Sequence, residues 1–227
     1  MKVVIIGGVA AGMSAATRLR RLKEEAEIIV FEMGENVSYA NCGLPYFISD
    51  VIDNRDDLLL QTPQKLHDRF RLDVRVRTKV TAIDKEAKTV TAVNLSSGQE
   101  IVESYDKLVI TTGANPRKLD IPGAERSLTL RDVSDADAVK RAIAQSNAKS
   151  AVILGGGFIG IELAENLRHL GIAVTVVQRG KQILPQFDIE MIELLQQRLE
   201  ENGVSLKLNS TAESIRENRV ILSKKSD

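Results

Sequence analysis

"SAVILGGGFIGIELAENLRHL", residues 150–170, runs from an apolar β-branched stretch through a glycine-rich turn into a segment of good helix formers. Val152 to Leu154 suit a buried parallel strand, and the Ala, Leu, Glu and Arg that follow suit a helix. Gly155, Gly157 and Gly160 place G-x-G-x-x-G at the strand-to-helix junction. That position gives the spacing its meaning. A dinucleotide's pyrophosphate rests on a helix N-terminus only where the backbone can approach it closely, which requires residues without a Cβ. A second apolar run, "IAVTVVQ" (172–178), completes a strand–helix–strand unit.

The same order opens the chain, in "KVVIIGGVAAGMSAATRLRRL" (2–22) followed by "EIIVFE" (27–32). Here Gly7 and Gly12 are kept, Gly8 lies between them, and Val9 stands where the middle glycine belongs. Glu32 closes the second run about 20 residues on, where a carboxylate can hold the hydroxyl pair of a ribose. At the corresponding place in the later unit stands Gln178, followed by Arg179. An uncharged amide does not repel a 2′-phosphate, and an arginine can pair with one, so the later unit is expected to take NADPH, or both NADPH and NADH. Two complete units predict an α/β protein with two Rossmann-like three-layer domains. Their expected limits are 1–115 and 116–227.

Between the units, "DVRVRTKVTAI", "KTVTAVNL" and "QEIVESYDKLVI" alternate apolar and polar residues across turn-forming breaks, which predicts an antiparallel meander over 73–110. "TTGANPRKLDIPG" (111–123) carries the glycines and prolines of a crossing between domains. "DIEMIELLQQRLEENG" (188–203) reads as a helix ended by Gly203. "VSLKLN" and "RVILSK" read as strands, and the chain stops at "SKKSD" inside what reads as another meander.

Lys+Arg and Asp+Glu are equal at 31 each, so no net basic field invites nucleic acid. Aromatic residues make up 4% and Trp is absent, which supplies no base-stacking platform. The apolar start is too short to span a bilayer and breaks into glycines where a signal peptide would continue. A single cysteine excludes a disulfide framework and fits a reducing compartment. The sequence therefore reads as soluble and cytoplasmic, with no nucleic-acid, membrane or metal partner.

That cysteine, Cys42, sits in "VSYANCGLPYF" (37–47) among Asn41, Gly43 and Pro45. A lone cysteine is commonly a small buried hydrophobe, yet this one is placed in a turn. Together "GGVAAGMSAA", "SYANCGLPY", "TTGANPRKLDIPG" and "GGGFIGIELAENL" resemble the flavin-dependent pyridine nucleotide–disulfide oxidoreductases. The resemblance is strongest to their single-cysteine branch, the coenzyme A-disulfide reductases, with persulfide reductases and NADH oxidases as near relatives. Val9 in the first turn itself resembles that branch.

The resemblance implies an FAD domain interrupted by an NAD(P)H domain, with Cys42 as the redox-active residue. It implies nucleotide contacts from Gly7, Gly8, Gly12, Glu32, Thr112, Gly113, Arg131, Gly155, Gly157, Phe158, Ile159, Gly160, Glu162, Gln178 and Arg179. Ser14, Arg18, Arg21, Ser38 and Asn41 are implied to meet the phosphates and pantetheine arm of CoA, supplied as CoA disulfide or CoA persulfide. The family's late FAD motif and its C-terminal dimerisation domain would lie beyond Asp227. A homodimer is therefore expected only where that domain is present, and the 227-residue chain alone is expected to retain little FAD.

An ordinary thiol, with a pKa near 8.5, is only roughly 3% ionised at pH 7, so a helix beginning at Gly43 would help by stabilising the thiolate. With no second cysteine, the oxidised state is a mixed disulfide or a sulfenic acid. The histidine that the family's peroxidases carry in the first turn is replaced by Ala10, and His67 and His169 read as surface helical residues. This favours disulfide or persulfide reduction. The alternatives are an NADH oxidase that uses O2 through a Cys42 sulfenic acid, and a truncated, non-catalytic nucleotide-binding redox sensor.

Overall fold

The two β-branched runs become strands of two parallel sheets in the computed structural model, which describes residues 1–117 and 119–224. The last residues of "SKKSD" lie outside the described residues. The chain forms two compact units, Met1–Ala40 with Arg55–Asn115, and Asn41–Asn54 with Pro116–Asp227.

In the first unit, β1 (Lys2–Ile6) pairs in parallel with β2 (Glu27–Phe31), from Lys2 opposite Glu27 to Ile6 opposite Phe31. Helix α1 (Ala10–Leu22) connects them. The sheet continues through β3 (Asp73–Arg75) beside β2, and β7 (Lys107–Ile110) beside β1. Alternation along β1 and β2 divides their side chains between two cores. Val3, Ile5, Ile28 and Val30 pack with Met13 and Ala16 of α1 and with Leu66 of α3 (Pro63–Phe70). Val4, Ile6, Ile29 and Phe31 pack instead with Val90 and Ala92. The latter belong to β5 (Thr89–Asn94), flanked by β4 (Thr78–Asp84) and β6 (Glu100–Ser104) in an antiparallel sheet. Helices, parallel sheet and meander thus make three layers, each buried against the next.

The meander is shorter than its sequence pattern predicts. Residues 73–75 and 107–110 carry the same alternation, but both pair in parallel in the β1 sheet. The chain turns out of β3 at Arg77, whose φ of 49° no strand continues through. It is steered into β7 by Asp106, which donates its N–H to the Lys2 carbonyl at 2.9 Å and accepts the Lys2 N–H on Oδ2 at 2.6 Å.

In the second unit, β8 (Ser150–Leu154), helix α5 (Phe158–His169) and β9 (Ala173–Val177) form the later strand–helix–strand unit. Helix α6 (Ile189–Glu201) leads to β10 (Val204–Lys207), giving the parallel order β10-β9-β8. Strands β11 (Ser210–Arg216) and β12 (Arg219–Lys224) form an antiparallel hairpin. Helix α4 (Val133–Ser146) precedes β8, its N-terminus capped by Asp132, whose carboxylate accepts the Asp135 N–H. The segment Asn41–Asn54, expected with the first domain, packs with this unit. Its helix α2 (Leu44–Ile48) buries Leu44, Phe47 and Ile48 against α4 and α5.

One ion network ties three of the first unit's strands together. Glu103 of β6 takes Lys2 of β1 on one carboxylate oxygen and Arg75 of β3 on the other, the latter at 2.9 Å. Burial alone would push the Glu103 carboxyl up, but the hydrogen bonds from Lys2 and Arg75 outweigh it and hold it below the ordinary glutamate range. A carboxyl depressed in the folded state contributes stability that is present above its unfolded value and lost as pH falls through the folded one. Glu103→Gln should therefore lower stability at neutral pH by about 1–2 kcal/mol, less than a fully buried pair would cost because water reaches the site. The difference from the parent should shrink as pH drops below the ordinary glutamate range. Thermal unfolding of both proteins from pH 7 down to acid checks this, and an undiminished gap in acid would refute it.

Candidate functional site

Each glycine turn is closed by backbone lying against backbone. In the first, Gly7 has φ 104°, and a Cβ on Gly12 would lie 1.8 Å from the Gly7 carbonyl oxygen. In the second, Gly155 has φ 119°, and a Cβ on Gly160 would lie 2.2 Å from the Gly155 oxygen. No L side chain fits either contact, so the strand passes into the helix in the shortest possible turn. Gly157, the N-cap of α5, is different: its φ of −85° is ordinary, and a Cβ there would meet no protein atom within 4 Å. The space above it is open. Val9 occupies the equivalent place at the start of α1.

The N-termini of α1 and α5 are left uncapped by side chains and carry no acidic residue in the first turn. By contrast, Thr62 caps α3 and Asp132 caps α4. Free amides and a helix dipole at both starts, with an open backbone at Gly157 of the second, suit an anionic diphosphate.

Glu32 and Gln178, the residues that directly follow β2 and β9, make the same contact. Glu32 Oε2 accepts the Gly8 N–H at 2.7 Å, and its Oε1 accepts the Gly34 N–H at 2.7 Å. Gln178 Oε1 accepts the Gly156 N–H at 3.1 Å. Both side chains brace the middle of their glycine turn, a role that the spacing alone did not reveal. Each carboxylate oxygen of Glu32 keeps a lone pair, so two hydroxyl donors can still be accepted. Arg179 is exposed beside Gln178.

Thr112 and Gly113 are exposed beyond β7, with Gly113 at φ 65°. Sequence reading passed over Thr111, whose Oγ1 lies 2.9 Å from the Ile6 oxygen and 3.0 Å from the Gly7 oxygen, tying β7 to the turn. Its signal was the hydroxyl directly after the strand's last apolar residue. Arg131 is half-buried just before α4, its N–H donating to Asp135. Phe158 and Ile159 are 56% and 54% exposed in the first turn of α5, and Glu162 is half-buried one turn on. Phe158 meets the Phe187 ring edge to face, with centroids 5.9 Å apart.

Ser14, Arg18 and Arg21 are exposed and fall on one face of α1. Ser38, at φ 47°, is half-buried and donates its N–H to the Gly8 carbonyl. Asn41, Cys42 and Gly43 form a 3-10 turn that belongs to the second unit, and the Cys42 thiol is exposed. The helix expected after Gly43 is present, but it has five residues and Pro45 in its first turn. It offers fewer free amides than a longer helix without proline. His67 and His169 are exposed on α3 and α5. Among the described residues there is no cluster of three metal-ligating side chains, and no helix long and apolar enough to cross a membrane.

A family model described as pyridine nucleotide-disulphide oxidoreductase matches residues 1–227. The chain is 33% identical over 219 residues to the coenzyme A disulfide reductase of Staphylococcus aureus, covering 96% of this chain and 50% of that one. It thus spans about half the length of the curated relatives it matches. The crystal structure of reduced Bacillus anthracis CoADR-RHD superposes with a TM-score of 0.94 at 44% identity, over 97% of this chain and 41% of that one. An NAD-dependent persulfide reductase from A. fulgidus does so with a TM-score of 0.92 at 36% identity, over 98% and 42%. FAD and NAD(P)H are the cofactors such a fold carries; both glycine turns leave helix amides without side-chain caps, and the second adds at Gly157 the open backbone a dinucleotide needs. On its full-length match and on these likenesses, the chain belongs to the pyridine nucleotide-disulphide oxidoreductase family.

Proposed function

We propose that the chain is the nucleotide- and thiol-bearing part of an NAD(P)H-dependent flavoprotein that reduces CoA disulfide or CoA persulfide through Cys42. The observation that carries this reading is a solitary, exposed thiol set in a turn, in a chain with two uncapped glycine turns. The coenzyme A disulfide reductase and persulfide reductase relatives support the substrate class.

The first turn, with Gly7, Gly8, Gly12 and Glu32, is assigned to the ADP half of FAD, and Thr112 and Gly113 to its flavin side. Gly155, Gly157, Phe158, Ile159, Gly160, Glu162, Gln178, Arg179 and Arg131 are assigned to NAD(P)H. When bound, the flavin supplies the two-electron link between coenzyme and sulfur. Cys42 acts as a thiolate that attacks one sulfur of CoA disulfide, forming a mixed disulfide and releasing the first CoA thiolate. Two electrons from NAD(P)H then cleave the Cys42–CoA bond, releasing the second CoA and restoring the thiolate. The balance is one NAD(P)H and one proton consumed, and two CoA thiols produced. Ser14, Arg18 and Arg21, with Ser38 and Asn41, are assigned to the phosphates and pantetheine arm. Guanidinium groups suit phosphate, and small polar residues suit the amides.

Three outcomes test these assignments. In protein that holds both cofactors, Cys42→Ser should still bind FAD and accept electrons from NAD(P)H, while CoA-disulfide turnover falls by several orders of magnitude. Near-normal turnover would end the assignment. Gly157→Ala should fold with stability within about 0.5 kcal/mol of the parent, because its Cβ meets no protein atom, yet bind pyridine nucleotide about tenfold or more weakly. Equal affinity by titration would place the pyrophosphate elsewhere. Gln178→Glu should keep the brace to Gly156 and shift kcat/KM from NADPH towards NADH by about 1–3 kcal/mol, the scale of a charge-assisted contact. An unchanged ratio would remove Gln178 from the coenzyme site.

A further inference from the structure

The thiol-bearing segment is fastened at its far end, by groups that packing alone does not require. The chain leaves the first unit at Ala40, whose N–H donates to the Leu58 carbonyl at 2.9 Å, beside the bridge from Tyr39 to Leu59. Residues 41–54 therefore form a closed-necked excursion, and Leu44, Phe47 and Ile48 in it are 3%, 5% and 1% exposed. Beyond this apolar face stand two polar fastenings. On α4, Lys140 Nζ donates to the Phe47 carbonyl at 3.0 Å and to the Asp50 carboxylate, and lies 4.2 Å from the Phe47 ring centroid. It thereby sets a cation at the C-terminal end of α2, where the helix's carbonyl ends favour one.

On α5, Asn166 accepts the Ser49 hydroxyl on Oδ1 at 2.5 Å and donates Nδ2 to the Glu162 carbonyl at 2.8 Å. Ser49 and Asn166 are 2% and 3% exposed. An apolar pair would fill this space without the cost of desolvating two polar groups; what the hydrogen bond adds is a fixed register. Both fastenings go to helices of the coenzyme-binding unit, and α5 is the helix that starts at its glycine turn.

We propose that Lys140 and Asn166 are positioning residues for Cys42, locking the far end of its loop onto the coenzyme-binding unit so that the thiol is presented from that unit. The inference rests on the reading of Cys42 as the reacting thiol, but it is tested without substrate. Cys42 is the one cysteine in the chain, so alkylation by iodoacetamide reports on it alone. Lys140→Met, on a partly exposed side chain, and Ser49→Ala, which removes one hydroxyl, should each speed alkylation by about threefold or more and raise amide exchange over residues 44–50. Exchange in β8 should not move. Lys140→Arg, which can restore both the carbonyl and the carboxylate contact, should return alkylation to the parental rate.

Alkylation unchanged in both variants would overturn the inference, whether or not the melting temperature falls, because the fastenings would then hold the helix and not the thiol. Failure of Lys140→Arg to restore the rate would overturn it for Lys140. The CoA-disulfide reading fails by a different measurement, the turnover of Cys42→Ser, and such a failure leaves the alkylation result standing.

Discussion

The structure depends on two places where one glycine's α-carbon lies against another glycine's carbonyl. At Gly12 against Gly7, and at Gly160 against Gly155, the space that a methyl group would need is already taken by backbone oxygen. This contact lets a buried strand pass into a helix without a loop. It brings the helix's first amides to the carboxyl end of the parallel sheet, where open α/β sheets bind their ligands. It also brings the second glycine of each turn within reach of the next strand's end, so that Glu32 and Gln178 can each accept its N–H. A substitution at Gly12 would disturb helix, sheet and site together.

The two turns share this backbone and differ in charge. Glu32 brings a carboxylate that two backbone amides already orient, which suits a ribose with free hydroxyls and opposes a phosphate on it. Gln178 makes the same brace through an uncharged amide oxygen, and Arg179 follows it exposed to water. Replacing one carboxylate oxygen by nitrogen keeps the geometry and removes the repulsion. The two turns thus differ in the charge laid over one backbone geometry.

Much of this was legible in the sequence because it is local. Strand, turn and helix are set by β-branched runs, glycine spacing and helix formers over about 20 residues, and both units follow that pattern. What was not legible depends on distant partners. The alternation in 73–75 and 107–110 is identical in kind to that of the meander, and only pairing with β2 and β1 separates them. The bracing role of Glu32 requires knowing that its side chain turns back to Gly8. Thr111 reads like its neighbour Thr112 until the carbonyls of Ile6 and Gly7 are placed beside it. The largest such case is the segment 41–54. Its apolar residues belong to the second unit, although the 61 residues Arg55–Asn115 of the first unit follow it in the chain before the second unit resumes at Pro116.

That displacement bears on how a solitary thiol can be made useful. Full ionisation of an ordinary thiol at neutral pH raises its thiolate population at most about thirtyfold, since roughly 3% is ionised already. Correct placement of reacting groups is worth far more, with effective molarities of about 10⁵ M and above in well-oriented systems. The helix after Cys42 has five residues and a proline in its first turn, so it is short of free amides. On the proposed reading the contacts at Lys140 and Asn166 serve placement, and the Ser49–Asn166 pair buries two polar groups that an apolar core would not need. A protein with two cysteines can hold its own disulfide in register through the covalent bond. Within this chain Cys42 has no second cysteine to pair with, so on the proposed reading its register comes from non-covalent contacts, and those of residues 47–50 lie on the unit that carries the second glycine turn.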